Sequence, residues 1–103
     1  MAVIKVTSEN FEKEVLSSGV PVLADFNADW CGPCRMLKPI VEEISEEYPN
    51  IKVVSINIDD EDELADEYDV SSIPCVVLFK DGQEADRVIG FRPKESIIEF
   101  MGV

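Results

Sequence analysis

Two periods of hydrophobic spacing alternate along the chain. Val20 to Asn27 is a nearly unbroken apolar run, which predicts a strand covered on both faces. Leu37, Ile40, Val41, Ile44 and Tyr48 then recur at spacings of three and four, which predicts a helix. Ile51 to Ile58 is rich in β-branched residues and predicts the next strand. Eight of the eleven residues from Asp59 to Asp69 are acidic, with Leu64, Ala65 and Tyr68 at helical spacing among them. That run reads as the solvated face of a helix with its acids toward the start, where the dipole favours them. Cys75 to Lys80 and Glu84 to Ile89 are strands joined at Asp81-Gly82, a hairpin signal.

Shorter elements close the two ends. Ala2 to Val6 reads as an edge strand, and Thr7 or Ser8 as the cap of a helix burying Phe11, Val15 and Leu16. Pro93 suits the first turn of a last helix that buries Ile97, Ile98 and Met101. The order is βαβαβ followed by αββα. Strand-helix-strand units demand parallel pairing through right-handed crossovers, and the tight hairpin demands an antiparallel pair. The expected fold class is α/β, with a mixed central sheet between helices on both faces. No composition break or repeat divides the 103 residues, so one domain over 1–103 is expected.

Charge and composition narrow the function. Nine basic against 22 acidic residues give a net charge of −13, which argues against nucleic acid and against an anionic membrane surface as partners. The acidity fits solubility, a salty cytoplasm or steering toward a basic partner. The apolar runs fall short of a spanning helix, and the first residues lack the pattern of a secretory signal, so a cytoplasmic location is expected. Three cysteines make a poor disulfide scaffold; a pair in a reducing compartment is more often reactive. Histidine is absent, which removes every Ser-His and Cys-His mechanism.

The chemistry concentrates in Asp29-Trp30-Cys31-Gly32-Pro33-Cys34-Arg35, where the buried strand hands over to the long helix. Cys31 falls at the helix N-terminus, where unpaired N–H groups and the dipole stabilise a thiolate. Arg35 and Lys38, the only basic residues between Lys13 and Lys52, add positive charge. Cys34 follows three residues later, with Cβ atoms about 5–6 Å apart in a helical turn, close to disulfide range. Pro33 fixes the turn between them. This is the layout for thiol–disulfide exchange: Cys31 attacks a partner disulfide and a deeper Cys34 resolves the mixed disulfide. Cys34 must lose its proton, and Asp25, inside the apolar strand, is the candidate acceptor because burial raises a carboxyl pKa. Plainer readings stand beside these. The cysteines fit half of a zinc site, for which only Cys75 offers a third ligand, or a pair of inert core residues. Asp25 also fits a satisfied structural acid.

These residues resemble the thioredoxin family over essentially the whole chain. Val22-Leu23-Ala24-Asp25-Phe26 before Trp30-Cys31-Gly32-Pro33-Cys34, then Ile73-Pro74 before Cys75 to Lys80 and Asp81-Gly82, then Gly90, carry the resemblance. It implies a thioredoxin fold and a protein disulfide reductase that needs no cofactor or metal, works as a monomer on disulfide-containing clients and is recharged by a thioredoxin reductase. It implies Cys31 as nucleophile, Cys34 as resolving thiol, Asp25 as buried proton acceptor, and Gly32 and Pro33 as the spacer that tunes the pair. It implies a cis Ile73-Pro74 peptide against the cysteines. It also implies a client-binding patch of Trp30, Gly32, Pro33, Ile73, Pro74 and Gly90. A thioredoxin-fold partner subunit with incidental cysteines, and an oxidant or isomerase, are the competing functions. The chain departs from the pattern at four positions. Asn27 stands where many members carry an aromatic, and Ser55 where many carry a lysine facing the buried Asp. The first change bears on the packing beneath the site and the second on the tuning of Asp25. Cys75, where Thr is common, is either a regulatory thiol near Cys31 or a small buried hydrophobe. Phe91, bulkier than usual, narrows partner choice.

Overall fold

The computed structural model describes residues 3–103. A five-stranded sheet of order β1-β3-β2-β4-β5 forms its middle layer. The strands are β1 (Ile4–Lys5), β2 (Val22–Asn27), β3 (Lys52–Asn57), β4 (Cys75–Lys80) and β5 (Gln83–Ile89). β1 and β2 both run parallel to β3, whereas β4 is antiparallel to β2 and β5 antiparallel to β4. The mixed sheet expected from the connections is therefore present. Helices α1 (Gly32–Glu47) and α3 (Lys94–Met101) cover one face; α2 (Asp62–Glu67) and a short π-helical turn, Glu12–Leu16, cover the other.

Strand alternation divides the core in two. Val22, Ala24 and Phe26 of β2 point with Cys75, Val77 and Phe79 of β4 toward Phe11, Val15 and Leu64. Leu23 of β2, Val53 of β3 and Val76 of β4 point the other way, onto Leu37, Val41 and Ile44 of α1 and Ile97 and Met101 of α3. That second face changes character along β2 and β3. Leu23 lies opposite Val53, Asp25 opposite Ser55, and Asn27 opposite Asn57. The apolar layer thus turns polar at the C-terminal ends of the strands, next to the start of α1.

Three expectations shift in detail. The edge strand is two residues long; Ala2 lies outside the described residues. The helix expected after Thr7 is one π-helical turn, with the Ser17 N–H donating to the Glu12 carbonyl at 2.8 Å. Thr7 does not cap it, because its Oγ1 accepts from the Glu9 N–H (3.2 Å) in a preceding turn. Phe11 and Val15 are buried, but Leu16 is 36% exposed. The hairpin turn packs onto the Leu16 backbone so closely that a Cβ on Gly82 would lie 2.7 Å from its carbonyl oxygen. Pro93 stands just before α3, and its carbonyl accepts from Ser96 and Ile97.

Aromatic packing ties the π-turn and α2 to the sheet. Phe79 lies edge-on to both Phe11 and Tyr68, with ring centroids 6.1 and 5.4 Å away. Replacing Phe79 with Ala should cost about 3–5 kcal/mol of unfolding free energy by removing a fully buried ring. Leu16→Ala, at an exposed position, should cost under about 1 kcal/mol. Urea unfolding of the two variants checks the contrast.

Candidate functional site

β2 delivers the site. Its buried run ends at Asn27, the chain turns through Ala28 and Trp30, and α1 begins at Gly32 with Cys31 as its N-cap. Cys31 is extended (φ −92°, ψ 113°), and its Sγ accepts the Cys34 N–H at 3.3 Å. The sulfur thus meets one of the unpaired donors of the first helical turn. Pro33, in that turn, has no N–H to leave unpaired. Cys31 and Cys34 are joined in a disulfide, their Cα atoms 5.2 Å apart. Ala28, Ile58 and Ile73 form an apolar collar around the pair. Cys34 was expected to lie deeper than Cys31; the two are equally enclosed, at 4% and 5% exposure, because the collar packs against both.

The rim comes from distant parts of the chain. The Ile73-Pro74 peptide is cis, and the Ile73 carbonyl oxygen lies 3.9 Å from Cys31 Sγ. The Gly90 N–H donates to the Pro74 carbonyl at 2.7 Å, tying the end of β5 to this loop. Gly90 takes φ +92°, a conformation open chiefly to glycine. Trp30 is 67% exposed, and its indole N–H donates to Asp59 Oδ2 at 2.8 Å. Asp59 therefore has a partner at the site rather than only a place in a solvated acidic face. Pro33 is exposed, Gly32, Ile73 and Gly90 are half-buried, and Pro74 is buried.

Asp25 lies beneath the pair, on the sheet face that α1 covers. It is 3% exposed, and its Oδ1 has no hydrogen-bond partner. Burial alone pushes its carboxyl pKa up to about 7. Its Oδ1 thus lacks the partner that a fully satisfied structural acid would have among the protein's own groups. A cleft of about 630 Å³ opens between α1 and the strand ends, with Asp25, Asn27, Ser55 and Cys34 in its lining and Lys5, Arg35 and Lys38 at its basic positions.

The sequence profile of the thioredoxin family matches residues 2–102. The chain belongs to the thioredoxin family. It is 51% identical to the thioredoxin of Pyropia yezoensis over 98 residues, covering 94% of this chain and 92% of that protein. The thioredoxin of Rickettsia bellii (strain RML369-C) is 50% identical over 97 residues, covering 93% and 92%. Thioredoxin 1 of Nostoc sp. (strain PCC 7120) is 48% identical over 97 residues, covering 93% and 91%. As a thioredoxin with a bonded Cys31–Cys34 pair, the protein is a dithiol–disulfide oxidoreductase and a protein disulfide reductase. Membership of this family implies disulfide-bearing client proteins and a thioredoxin reductase. Among the described residues, no helix is long and apolar enough to cross a membrane.

The remaining expectations sort by geometry. Among the described residues, no group of three or more His, Cys, Asp or Glu is arranged to hold a metal ion. Cys75 is buried in the core with Phe26 and Val77, on the face away from α1, and does not join the cysteine pair. Burial raises its thiol pKa, against the lowering effect of the Arg87 guanidinium, whose Nη1 lies 4.0 Å from the sulfur. It is the small buried hydrophobe of the two alternatives. Asn27 fills the place of an aromatic with hydrogen bonds: its Nδ2 donates to the Asp25 carbonyl and to Ser55 Oγ, each at 2.8 Å.

The raised Asp25 pKa makes stability depend on pH. The folded state holds its proton up to about pH 7, while the unfolded chain releases it near 3.8. Between those values the folded state binds more protons, so the Asp25 contribution to stability falls as pH rises, by roughly 1.4 kcal/mol per unit. Asp25→Asn in the oxidised protein should be more stable than wild type at pH 8 and should lose this decline. Unfolding free energies measured from pH 4 to 8 check both outcomes.

Proposed function

We propose that the chain reduces client disulfides with Cys31 as attacking thiolate, Cys34 as resolving thiol and Asp25 as the acceptor of the Cys34 proton. Cys31 Sγ bonds to one client sulfur; the client S–S bond breaks and its other sulfur leaves as a thiolate. Asp25 carboxylate then takes the Cys34 proton. The Cys34 thiolate attacks Cys31 Sγ, the bond from Cys31 to the client breaks, and the second client thiolate leaves with the electron pair. The product is the Cys31–Cys34 disulfide of this structure, oxidised by two electrons, which the reductase returns.

The observation that carries this reading is a buried carboxyl with one unpaired oxygen that shares a cleft with Cys34, the partner of the helix-capping Cys31. Gly32 and Pro33 hold the two sulfurs in one helical turn and tune the pair. Trp30, Ile73, Pro74 and Gly90 bind the client: an exposed indole faces it, and the loop carrying the Ile73 carbonyl is pinned beside Cys31 by the Gly90–Pro74 hydrogen bond. Both apolar faces of the sheet are covered by the chain's own helices, which supports one domain acting as a monomer. An odd cysteine held unpaired in the core fits the reducing cytoplasm.

Reduction of insulin disulfides in the presence of dithiothreitol tests the proposal. Wild type should exceed the dithiothreitol blank and Cys31→Ser should match it. Cys34→Ser should stall as a mixed disulfide visible on a non-reducing gel. Asp25→Asn should slow the resolving step roughly 10²-fold at neutral pH, the usual effect of losing a positioned base. A Cys31→Ser variant as active as wild type would overturn the assignment.

A further inference from the structure

Asp25 has the burial of a proton acceptor but no ionic partner. Burial is the sole cause of its shift, and no cation sits close enough to counter it. The titratable groups that share the cleft with it come from several elements. Helix α1 contributes Cys34, Arg35, Lys38 and Glu42, and β1 contributes Lys5. The turns after β2 and β3 add Asp29 and Asp60, and Cys75 faces it from behind the sheet. A carboxyl in this position accepts a proton readily but must also release it before the next cycle.

Two polar side chains line the cleft beside Asp25. Asn27 is two residues along β2, so it shares the Asp25 face. Ser55 lies directly across β3 from Asp25. Both amide hydrogens of Asn27 are committed, one to the Asp25 carbonyl and one to Ser55 Oγ. Ser55 accepts that bond, so its own hydroxyl hydrogen is left to donate. Both residues line the cleft that also reaches Asp25 and Cys34. The pair thus carries an edge of hydrogen-bonding atoms beside a carboxyl whose Oδ1 is unpaired.

We propose that Asn27 and Ser55 are positioning residues for the resolving step: hydrogen-bonded to each other, they form the polar wall along which Asp25 passes the proton taken from Cys34 out to solvent in the cleft. No electrons move in this transfer. The Asp25 O–H bond breaks, the proton goes to cleft water, and the carboxylate is restored. The inference rests on Asp25 as the proton acceptor, and its test separates the two.

Single-turnover reduction of a saturating peptide disulfide, followed by the fluorescence of the chain's one tryptophan, gives the rate from pH 5 to 9. Wild type should show an ionisation near pH 7, and Asp25→Asn should lack it. Ser55→Ala should move that ionisation up by roughly one unit and lower the rate at pH 7 roughly three- to tenfold, because an apolar wall disfavours the carboxylate. Ser55→Thr, which keeps the hydroxyl, should restore the wild-type profile. Asn27→Leu should act like Ser55→Ala; if it does not fold, Ser55→Ala alone decides, being a small change at a half-buried site. In an Asp25→Asn background Ser55→Ala should have no further effect. If the ionisation survives in Asp25→Asn, the proton-acceptor reading fails. If Asp25→Asn removes it, but Ser55→Ala leaves the profile unmoved or slows both backgrounds equally, the role of Asn27 and Ser55 is overturned by itself.

Discussion

A sulfur atom caps helix α1. Ordinary N-caps offer an oxygen to the free N–H groups of the first turn; here Cys31 Sγ accepts from Cys34, the residue to which it is also bonded. The donor that steadies the cap therefore belongs to the disulfide partner. When the bond opens, those same N–H groups face a sulfur able to carry negative charge, and the dipole favours that charge. The rest of the architecture serves this placement. β2 must be buried and straight enough to bring Ala28 and Cys31 to the sheet's end, and β4 must return antiparallel beside it to bring in Ile73.

Beneath the cap, the sheet carries a polar cluster where an apolar one would be more stable. Asp25, Asn27, Ser55 and Asn57 replace the Leu23–Val53 pattern one step along the same face. A buried carboxyl with an unpaired oxygen costs stability wherever it must ionise. The two well-packed cores and the aromatic contacts around Phe79 offset that cost away from the chemistry. The cations are distributed to match. Lys52 and Lys94 hold elements together through Glu14 and the Glu43–Glu47 pair, and Arg87 ties β5 to the Tyr68 carbonyl, whereas Lys5, Arg35 and Lys38 line the cleft.

Local signals made much of this readable from residues alone. The apolar run of β2, the three-and-four spacing of α1 and the Asp81-Gly82 turn are patterns within one window, and the structure follows them. The cysteine pair was readable because both residues lie in one helical turn. Pairings between distant residues left no such trace. Nothing local joins Trp30 to Asp59 or Asn27 to Ser55, and the cis peptide before Pro74 came from family resemblance, not from spacing. The π-helical turn leaves no local trace for a related reason. Phe11, Val15 and Leu16 have ordinary helical spacing, and the approach of Gly82 to the Leu16 backbone depends on a hairpin some 65 residues away. The equal burial of the two sulfurs depends on Ile58 and Ile73, which no reading of the Cys-Gly-Pro-Cys segment contains.

The two margins of the sheet bear on life at high concentration. On one side β1 is two residues long, too short to template another strand. On the other, β5 is seven residues long and largely exposed, but it carries Glu84, Asp86 and Arg87 along its length. Charged side chains along an edge oppose the addition of a neighbour's strand, and the net charge of −13 repels other copies. The protein's surplus of acid thus works in the same direction as its short and charged edges, against association of crowded copies.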